Sequence, residues 1–446
     1  MEPQPESNPE LTEAERSFVE SITDKPPYVS GTLPLPLDMF NLWYGNGADS
    51  RHVNLAQASP KELLALATAC QPATFGRGAE DVLDEAYRKA GKMDANVFST
   101  PLVPERTDLI NIVRGYLLEG TESNRPIEVE LYKLNVYGEG SFFKAHVDTP
   151  RNESMFGSLV LVFPTQHKGG DLVFRHAGNE WTFDSAQAVG DQDSPSIAFA
   201  SFFSDVEHEV LPVTSGQRVT LTYNLYFGDM KKKEDKEEGP ATSSPTLMAI
   251  PHSLASNGAT ICSTFEALLT MPSFLPDGGA IGFGLHHVYP FSESISHVPQ
   301  LLKGSDAVLW RVFSTLGFEP TIYLFYKRER MWGSGADKTL MDKPVDFNYM
   351  EERSFAGYVH KHGGIMVYQR YGRPDEEVKW MTKANNSLNR HTREYVAYGN
   401  ESHLSYAYGD MCMIVRVGKA GERTTYPSAD EVRAKMVAQG GTRAWN

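Results

Sequence analysis

His146 and Asp148 are the residues whose types and spacing most directly suggest chemistry. They stand two positions apart in a segment, 144–149, that has the composition of a β-strand. Side chains at positions i and i+2 of a strand point to the same face, so this imidazole and this carboxylate can reach one metal ion. A His-X-Asp pair also arises often by chance. The pair therefore predicts a metal site only if a further ligand accompanies it.

His208 is the candidate third ligand, in a second strand-like segment 62 residues after His146. Two imidazoles and one carboxylate on one face of an octahedron leave three coordination positions open, and this arrangement suits the oxygen chemistry of non-haem Fe(II). Both imidazoles must be neutral to bind the metal. The sequence thus predicts a catalytic metal site formed by His146, Asp148 and His208.

Three further residues are candidates for binding an acidic cosubstrate beside that metal. Arg218 follows His208 by ten residues on the next predicted strand, where a guanidinium can bind a carboxylate through two hydrogen bonds. Tyr137, nine residues before His146, can donate a hydroxyl hydrogen bond to the same acid. Thr220 shares a strand face with Arg218 and can line the same pocket, although an ordinary strand threonine accounts for it equally well.

Two other histidines in this region are rival metal ligands. His167 precedes Gly169-Gly170 in a segment typical of a hairpin turn, which predicts a position at a loop tip away from any barrel interior. His176 ends the following strand and stays open as a substrate-side residue. Neither has a carboxylate two positions later. Neither is therefore predicted to bind the metal.

The elements that must position these residues are mainly strands. From 127 to 227 apolar residues alternate in short runs separated by turn residues, a pattern typical of an antiparallel sandwich or barrel. The preceding region, 31–115, carries mainly helical signals, which include apolar runs at 78–90 and 107–118. The fold class expected is therefore α+β, with N-terminal helices that brace a barrel.

Taken in chain order, the candidate residues form a specific pattern together with a Gly-Gly-Asp-Leu segment. The pattern consists of Tyr137, His146-Val147-Asp148, 169–172, His208 and Arg218. Over about 127–228 it resembles the prolyl 4-hydroxylase-type branch of the 2-oxoglutarate/Fe(II)-dependent dioxygenase superfamily. The resemblance implies a double-stranded β-helix (jelly-roll) barrel, with His146, Asp148 and His208 as iron ligands and Arg218 and Tyr137 as 2-oxoglutarate binders.

The resemblance also implies an activity and its cofactors. We expect Fe(II), 2-oxoglutarate as cosubstrate and O2, with ascorbate as a candidate addition. The reaction expected is hydroxylation of a substrate, a prolyl or other protein side chain, with release of succinate and CO2. Two alternatives stay open. One is a non-catalytic binding or regulatory protein on the same barrel fold; the other is an oxygenase of the same superfamily that acts on a small molecule or a modified base.

Composition shifts along the chain predict its domains. Residues 1–30 hold seven acidic and two basic residues and predict an acidic tail with one short packing helix that starts at Thr12. Residues 31–228 form the expected dioxygenase domain, and 229–245 a charged linker. Residues 246–446 mix helix and strand signals and predict a second α+β domain, by analogy a non-catalytic degenerate barrel.

The composition of the whole chain limits its class. Its 446 residues carry a net charge of −15 and are 41% hydrophobic, which excludes an intrinsically disordered chain. No apolar run approaches the roughly 18 residues of a membrane-spanning helix, and the excess of acid argues against a nucleic-acid partner. The N-terminal segment lacks signal-peptide features and the three cysteines lie far apart. We therefore expect a cytoplasmic or nuclear protein with a protein or small-molecule substrate and no membrane association.

Overall fold

The computed structural model describes residues 11–425 except 24, 46–48, 78–79, 119–124, 191, 193, 229–245, 248–256, 292–293, 330–335, 346–354, 369–372 and 385–409. The predicted linker at 229–245 lies outside the described residues. The chain divides into two compact units. One contains 26–252 and 396–405, here the sandwich unit; the other contains 1–25, 253–395 and 406–446, here the C-terminal unit.

The helices of the described chain are short. They are α1 (Glu13–Ser21), α2 (Pro60–Ala69), α3 (Leu109–Leu117), α4 (Ser185–Gly190), α5 (Asn257–Thr270), α6 (Gly304–Thr315) and α7 (Phe355–Lys361). Both α1 and α2 begin with a capping box, in which the side chains of Thr12 and Ser59 each accept a backbone N–H three residues later. These two helix starts were predicted from the sequence and are confirmed.

Strands are the main regular elements of the sandwich unit. They are β1 (Tyr28–Pro34), β2 (Asn41–Tyr44), β3 (Arg51–Asn54), β4 (Gln71–Pro72), β5 (Phe75–Arg77), β6 (Glu80–Val82), β7 (Arg88–Lys89), β8 (Gly91–Asp94), β9 (Phe98–Ser99), β10 (Ile127–Tyr137), β11 (Phe142–His146), β12 (Met155–Val162), β13 (His167–Gly169), β14 (Leu172–His176), β15 (Asn179–Phe183), β16 (Ser196–Phe203), β17 (Glu207–Val210), β18 (Val213–Gly216), β19 (Arg218–Phe227) and β20 (Thr246–Leu247).

Two antiparallel sheets of this unit pack face to face. The larger has the strand order β20-β1-β16-β12-β19-β10-β8-β4, and the smaller has the order β15-β14-β17-β11-β7. Aromatic side chains fill the space between them: the ring of Phe174 on β14 stacks on Tyr28 of β1, with centroids 4.5 Å apart, and lies 5.1 Å from Phe202 of β16. The predicted mixed α+β class is confirmed. The double-stranded β-helix and the bracing role of the helices stay predictions.

The prediction that 31–115 is mainly helical is wrong for much of the region, because its described residues form most of β1 and all of β2 to β9 besides α2 and α3. The apolar run at 78–90 was expected to be helical, but the described part of it forms β6, a turn and β7. β7 pairs with the start of β11, so Arg88 stands opposite Phe143. Apolar periodicity in a short run does not separate a helix from strands, and here pairing with a distant strand decides the outcome.

The C-terminal unit is built around one mixed sheet. Its strands are β21 (Gly279–Gly284), β22 (Thr321–Glu329), β23 (Ala336–Met341), β24 (Ile365–Tyr368), β25 (Val378–Trp380) and β26 (Met411–Val417), in the order β24-β23-β22-β26-β21-β25. β21 and β25 are parallel and the other pairs are antiparallel. The likeness of this unit to a second barrel stays a prediction.

Helix α1 packs within the C-terminal unit. Phe18 is fully buried, with its ring centroid 5.0 Å from that of Phe265 on α5. Glu15 forms an ion pair with Lys379, and Ser21 hydrogen-bonds Thr264. The short helix within 1–30 was therefore correctly expected to be a packing helix, although 1–30 as a whole was predicted to be a tail. Among the described residues no helix is both long and apolar enough to cross a membrane.

Candidate metal and cosubstrate site

His146, Asp148 and His208 meet between the two sheets of the sandwich unit. One ring nitrogen of each histidine and one carboxylate oxygen of Asp148 all lie within 4.8 Å of one another. His146 ends β11 and stands opposite His208 of β17, while Asp148 follows two residues beyond the strand end. Nε2 of His208 is 3.8 Å from Oδ1 of Asp148. The structure thus brings together the three side chains that the sequence singled out.

Backbone carbonyls orient both imidazoles. Nδ1 of His146 lies 2.8 Å from the carbonyl oxygen of Lys144, and Nδ1 of His208 lies 3.0 Å from that of Val206. A carbonyl only accepts hydrogen bonds, so each Nδ1 carries a hydrogen, and in the neutral form of each ring the lone pair is then on Nε2. This is the tautomer that a metal ligand needs, with the ring orientation fixed by the second nitrogen.

Ser158 orients the carboxylate of the cluster. Its hydroxyl, 1% exposed on β12, donates to Oδ2 of Asp148 at 2.6 Å, which leaves Oδ1 facing His208. Partners of this kind hold a ligating carboxylate in position. The sequence analysis missed Ser158, because its contact depends on where β12 passes Asp148 and no short spacing in the sequence signals that.

Aromatic rings shield the two histidines from water. Phe143 stacks on His146 with ring centroids 3.6 Å apart, and Phe202 lies 4.5 Å from His208. Burial lowers the pKa of His146 well below the ordinary histidine value, and the nearby His208 and Arg88 lower it further. His146 is therefore neutral near pH 7, as metal binding requires.

Arg88 is a second residue that the sequence analysis missed. Its guanidinium, 6% exposed, donates to the side-chain oxygen of Asn135 at 2.9 Å and to the carbonyl of Thr74 at 2.8 Å. It also lies 4.3 Å from the ring centroid of Phe143. Arg88 thus links the edge of the smaller sheet to the larger one beside the stacked His146. The mistaken helix over 78–90 concealed this position.

Arg218 is the most deeply buried cation of the site. It begins β19, is 1% exposed, and its Nε lies 3.4 Å from the hydroxyl of Ser185. Its Nη2 is buried and has no hydrogen-bond partner among the described residues. Burial lowers the pKa of Arg218 to about 10, whereas Tyr137 and Asp171 act in the opposite direction. A buried guanidinium donor without a carboxylate is suited to bind the carboxylate of a ligand.

Tyr137 and Thr220 accompany Arg218. Tyr137 stands opposite Arg218 in the β10–β19 register, and its ring centroid is 5.5 Å from the guanidinium carbon. Thr220, 1% exposed, stands opposite Asn135 two residues further along β19. The three candidates for cosubstrate binding therefore share one face of the larger sheet.

Gly170 lets the chain pass close to Arg218. Its φ is +77°, and a Cβ built there would lie 2.7 Å from Cδ of Arg218 and 2.9 Å from Cγ2 of Val213. A larger residue would be strained by the backbone and would displace the guanidinium stem. The close packing against Arg218 thus explains sterically why glycine occupies position 170 in the Gly-Gly-Asp-Leu segment.

The prediction for His167 is wrong. The residue is not at a loop tip but begins β13, which pairs with β18 so that His167 stands opposite Gly216. Its Nε2 is buried. The glycines at 169 and 170 both have positive φ, but they end β13 instead of forming the tip of a hairpin. His176, which stayed open as a substrate-side residue, is 8% exposed at the end of β14.

The donor set fits the groups that the sequence implies. Two imidazoles and a carboxylate are a ligand set of mononuclear Fe(II) sites, and a buried guanidinium whose Nη2 has no hydrogen-bond partner among the described residues fits one end of a dicarboxylate. Residues 132–226 match a family model described as the 2OG-Fe(II) oxygenase superfamily. The resemblance to this superfamily is confirmed. It indicates a dioxygenase that uses Fe(II), 2-oxoglutarate and O2.

Solved structures similar to the chain include three prolyl hydroxylases. A Pseudomonas putida prolyl-4-hydroxylase is 19% identical over 48% of this chain and 98% of its own, with a TM-score of 0.30. A Trichoplax adhaerens prolyl hydroxylase, in complex with a hypoxia inducible factor peptide fragment, is 15% identical over 49% and 95%, with a TM-score of 0.26. The viral collagen prolyl hydroxylase of Paramecium Bursaria Chlorella virus-1 is 12% identical over 46% and 97%, with a TM-score of 0.23. At these TM-scores the likeness supports no inference about substrate. None of the curated proteins compared matches the chain.

Proposed function

We propose that residues 31–228 form a double-stranded β-helix domain that hydroxylates a prolyl or other protein side chain. The reaction would consume 2-oxoglutarate and O2 and release succinate and CO2. The observation that carries the proposal is the combination, within one unit, of a two-histidine, one-carboxylate cluster and the buried Arg218, whose Nη2 has no hydrogen-bond partner among the described residues. The choice of a prolyl or other protein side chain rests on the ordered sequence pattern from Tyr137 to Arg218.

The roles of the residues follow from their geometry. His146, Asp148 and His208 would hold Fe(II), which supplies the oxidising chemistry when it is bound with 2-oxoglutarate and O2. Ser158 keeps the Asp148 carboxylate turned toward the cluster. Phe143 and Phe202 exclude water from the imidazoles.

The cosubstrate would be held at its carboxylate ends. Arg218 would bind the carboxylate farthest from the metal by charge-assisted hydrogen bonds, with Tyr137 and Thr220 beside it. In a water-excluded pocket such bonds are stronger than at a surface. Ascorbate is proposed as an additional requirement that keeps iron in the ferrous state.

The test is succinate formation by the full chain. Purified protein is supplied with Fe(II), 2-oxoglutarate, ascorbate and a library of proline-containing peptides, and succinate is measured by mass spectrometry. The His146→Ala variant is expected to lose succinate formation to background, because one metal ligand is gone. His52→Ala, which alters an exposed histidine on β3, is the matched control and is expected to retain it.

Each result decides between named functions. Succinate at the level of the His146→Ala variant, from protein that binds Mn(II) and 2-oxoglutarate, would contradict the enzyme and favour the non-catalytic binding protein. Succinate without any modified peptide, but with turnover raised by small molecules or modified bases, would replace the protein substrate by one of those classes. A peptide that gains one oxygen atom would establish the proposal.

A further inference from the structure

His167 lies directly against the start of the strand that carries Arg218. The backbone N–H of Gln217 donates to the carbonyl of Gln166 at 3.1 Å, and the hydroxyl of Thr165 donates to the carbonyl of Gln217 at 2.6 Å. These bonds lie beside His167, which stands opposite Gly216, two residues before Arg218. The segment that contains His167 is therefore attached to the inner end of the proposed cosubstrate pocket.

The imidazole of His167 has one satisfied and one unsatisfied nitrogen. Its Nδ1 lies 2.7 Å from the carbonyl oxygen of Thr165, so Nδ1 carries the hydrogen. Its Nε2 is buried and has no hydrogen-bond partner among the described residues. Buried polar atoms normally have a partner. An unsatisfied Nε2 at this place indicates an atom that forms its hydrogen bond with a bound ligand, either directly or after taking up a proton.

Two charged groups act on His167. Burial lowers its pKa, Arg218 lowers it further, and Asp184 opposes them. Asp171 in turn interacts with both Arg218 and Asp184. The Nη2 atom of Arg218 is itself buried without a partner among the residues that the structure describes. His167 and Arg218 are thus neighbouring groups, of which Arg218 is cationic and His167 can become so. Each has one buried nitrogen without a hydrogen-bond partner among the described residues.

We propose that His167 is a second binding group, beside Arg218, for the cosubstrate carboxylate farthest from the metal, and that it takes up a proton when this carboxylate binds. The proposal rests on the proposed function. A carboxylate offers only acceptors, and a neutral Nε2 would oppose it with a lone pair. One proton from solvent forms an N–H bond at Nε2, which then donates to the carboxylate, and no bond of the cosubstrate breaks.

Proton uptake makes cosubstrate affinity depend on pH. The negative ligand raises the pKa of His167 in the complex above its value in the free protein. Between these two values affinity rises as pH falls, by up to tenfold for each pH unit. Above both pKa values His167 stays neutral, and its protonation adds nothing to the affinity for the cosubstrate. Arg218, which stays charged throughout, contributes at every pH.

The experiment is calorimetric titration of 2-oxoglutarate into the full chain already saturated with Mn(II), without oxygen. Titrations at pH 7 in buffers of different ionisation enthalpy count the protons taken up. We expect an uptake approaching one proton for the wild type and none for His167→Gln, with affinity at pH 6 lowered by about tenfold in the variant. His52→Gln is the control and is expected to match the wild type.

The outcomes separate this inference from the proposed function. Normal 2-oxoglutarate binding by Arg218→Ala would overturn the carboxylate site itself. Loss of binding in Arg218→Ala, together with wild-type proton uptake in His167→Gln, would overturn only the role of His167. Should His167→Gln fail to fold, as judged by its Mn(II) affinity and thermal unfolding, the wild type decides alone: zero proton uptake in titrations at both pH 6 and pH 7 contradicts the proposal.

Discussion

Two buried arginines, Arg218 of the sandwich unit and Arg416 of the C-terminal unit, differ in the hydrogen-bond partners of their guanidinium groups. Arg416, 8% exposed on β26, donates from Nε and Nη2 to the two carboxylate oxygens of Glu376, at 2.8 and 2.7 Å. Arg218, 1% exposed, has Nη2 without a partner among the described residues. One guanidinium has its carboxylate within the chain, whereas the other has a donor left for a ligand.

The pKa values show the same difference. Burial lowers the pKa of Arg416, but the bound Glu376 more than offsets this and leaves it above the ordinary arginine value. Burial lowers the pKa of Arg218 to about 10, and the more distant Tyr137 and Asp171 do not offset it. A paired buried charge serves the fold, whereas an unpaired one costs stability and is explained by a ligand.

The largest expected effect comes from removing each arginine. Arg218→Met should weaken 2-oxoglutarate binding by about 100-fold or more, since a buried charge pair with the ligand is lost, and should leave stability unchanged or raised. Arg416→Met should leave binding unchanged and cost about 3–5 kcal/mol of stability, because Glu376 remains buried without a partner. Calorimetry with Mn(II)-loaded protein and denaturant unfolding measure the two quantities.

A double variant sharpens this test. Arg416→Met combined with Glu376→Leu should regain most of the lost stability, since both charges are then absent. A large loss of stability in Arg218→Met would contradict the comparison, because Arg218 would then serve the fold as Arg416 does. Unchanged cosubstrate binding in Arg218→Met would do the same.

The sequence predicted the residues of the metal cluster better than the elements around them. His146 and Asp148 needed only the two-residue period of a strand, which local sequence contains. Their role as ligands remains a prediction. Arg88 was missed because its contacts arise from pairing with a distant strand, and Ser158, only ten residues after Asp148, was missed because no local spacing signals where β12 passes that carboxylate. The match of Arg416 with Glu376, 40 residues apart, had no sequence signal either.

The wrong expectations share a physical cause. A glycine pair is typical of a hairpin turn, yet here Gly170 accommodates the nearby Arg218 stem and Gly169 accommodates the backbone of Pro212. The run at 78–90 has apolar periodicity, yet its described part forms β6, a turn and β7. Local residue types suggest a backbone conformation, whereas tertiary contacts determine which conformation is adopted.

A second prediction compares the buried carboxylate of Asp306 with the half-buried carboxylate of Asp148. Asp306 of the C-terminal unit accepts from the backbone N–H groups of His286 and His287 and from the hydroxyl of Tyr289, whereas Asp148 keeps one oxygen facing His208. Ser158→Ala should lower Mn(II) affinity by about 10–100-fold, because the carboxylate loses its orientation. Mn(II) titration followed by electron paramagnetic resonance measures this.

Tyr289→Phe is the matched variant for Ser158→Ala. It also removes a hydroxyl from a buried carboxylate, but it should cost about 1–3 kcal/mol of stability and leave Mn(II) affinity unchanged. Equal Mn(II) affinities for Ser158→Ala and the wild type would mean that Ser158 does not position the metal ligand.

A third prediction tests how Arg218 is held. Gly170→Ala should weaken 2-oxoglutarate binding by about tenfold, because its Cβ would displace the Arg218 stem, and should also destabilise the protein by about 1–3 kcal/mol. Gly178 has a similar φ of +81° with nothing within 4 Å of its Cβ position. Gly178→Ala should carry the backbone cost alone and bind 2-oxoglutarate normally. Equal binding by the two variants would remove the steric argument.

The smallest expected effect compares two histidines. Nε2 of His360 lies 2.7 Å from Oδ2 of Asp375, and this hydrogen bond raises its pKa, whereas the pKa of the half-buried His167 is lowered. A raised folded-state pKa stabilises the protein below the ordinary histidine value, and the contribution is lost as pH rises through the folded value. The pair is partly exposed, so solvent screening limits its contribution.

His360→Gln should therefore lower the melting temperature by about 1–2 °C at pH 6 and by less at pH 8. His362→Gln is the control, because its Nδ1 faces the carbonyl of Tyr358 and, within the described part of the chain, it forms no ion pair with a carboxylate. It should show no such dependence on pH. A His360→Gln effect that is equal at both pH values would mean that Asp375 does not stabilise the charged imidazole. His360 would then differ from His167 only in burial. The distinction between side chains that are paired within the chain and side chains that are available to a ligand would then be supported only by Arg416 and Arg218.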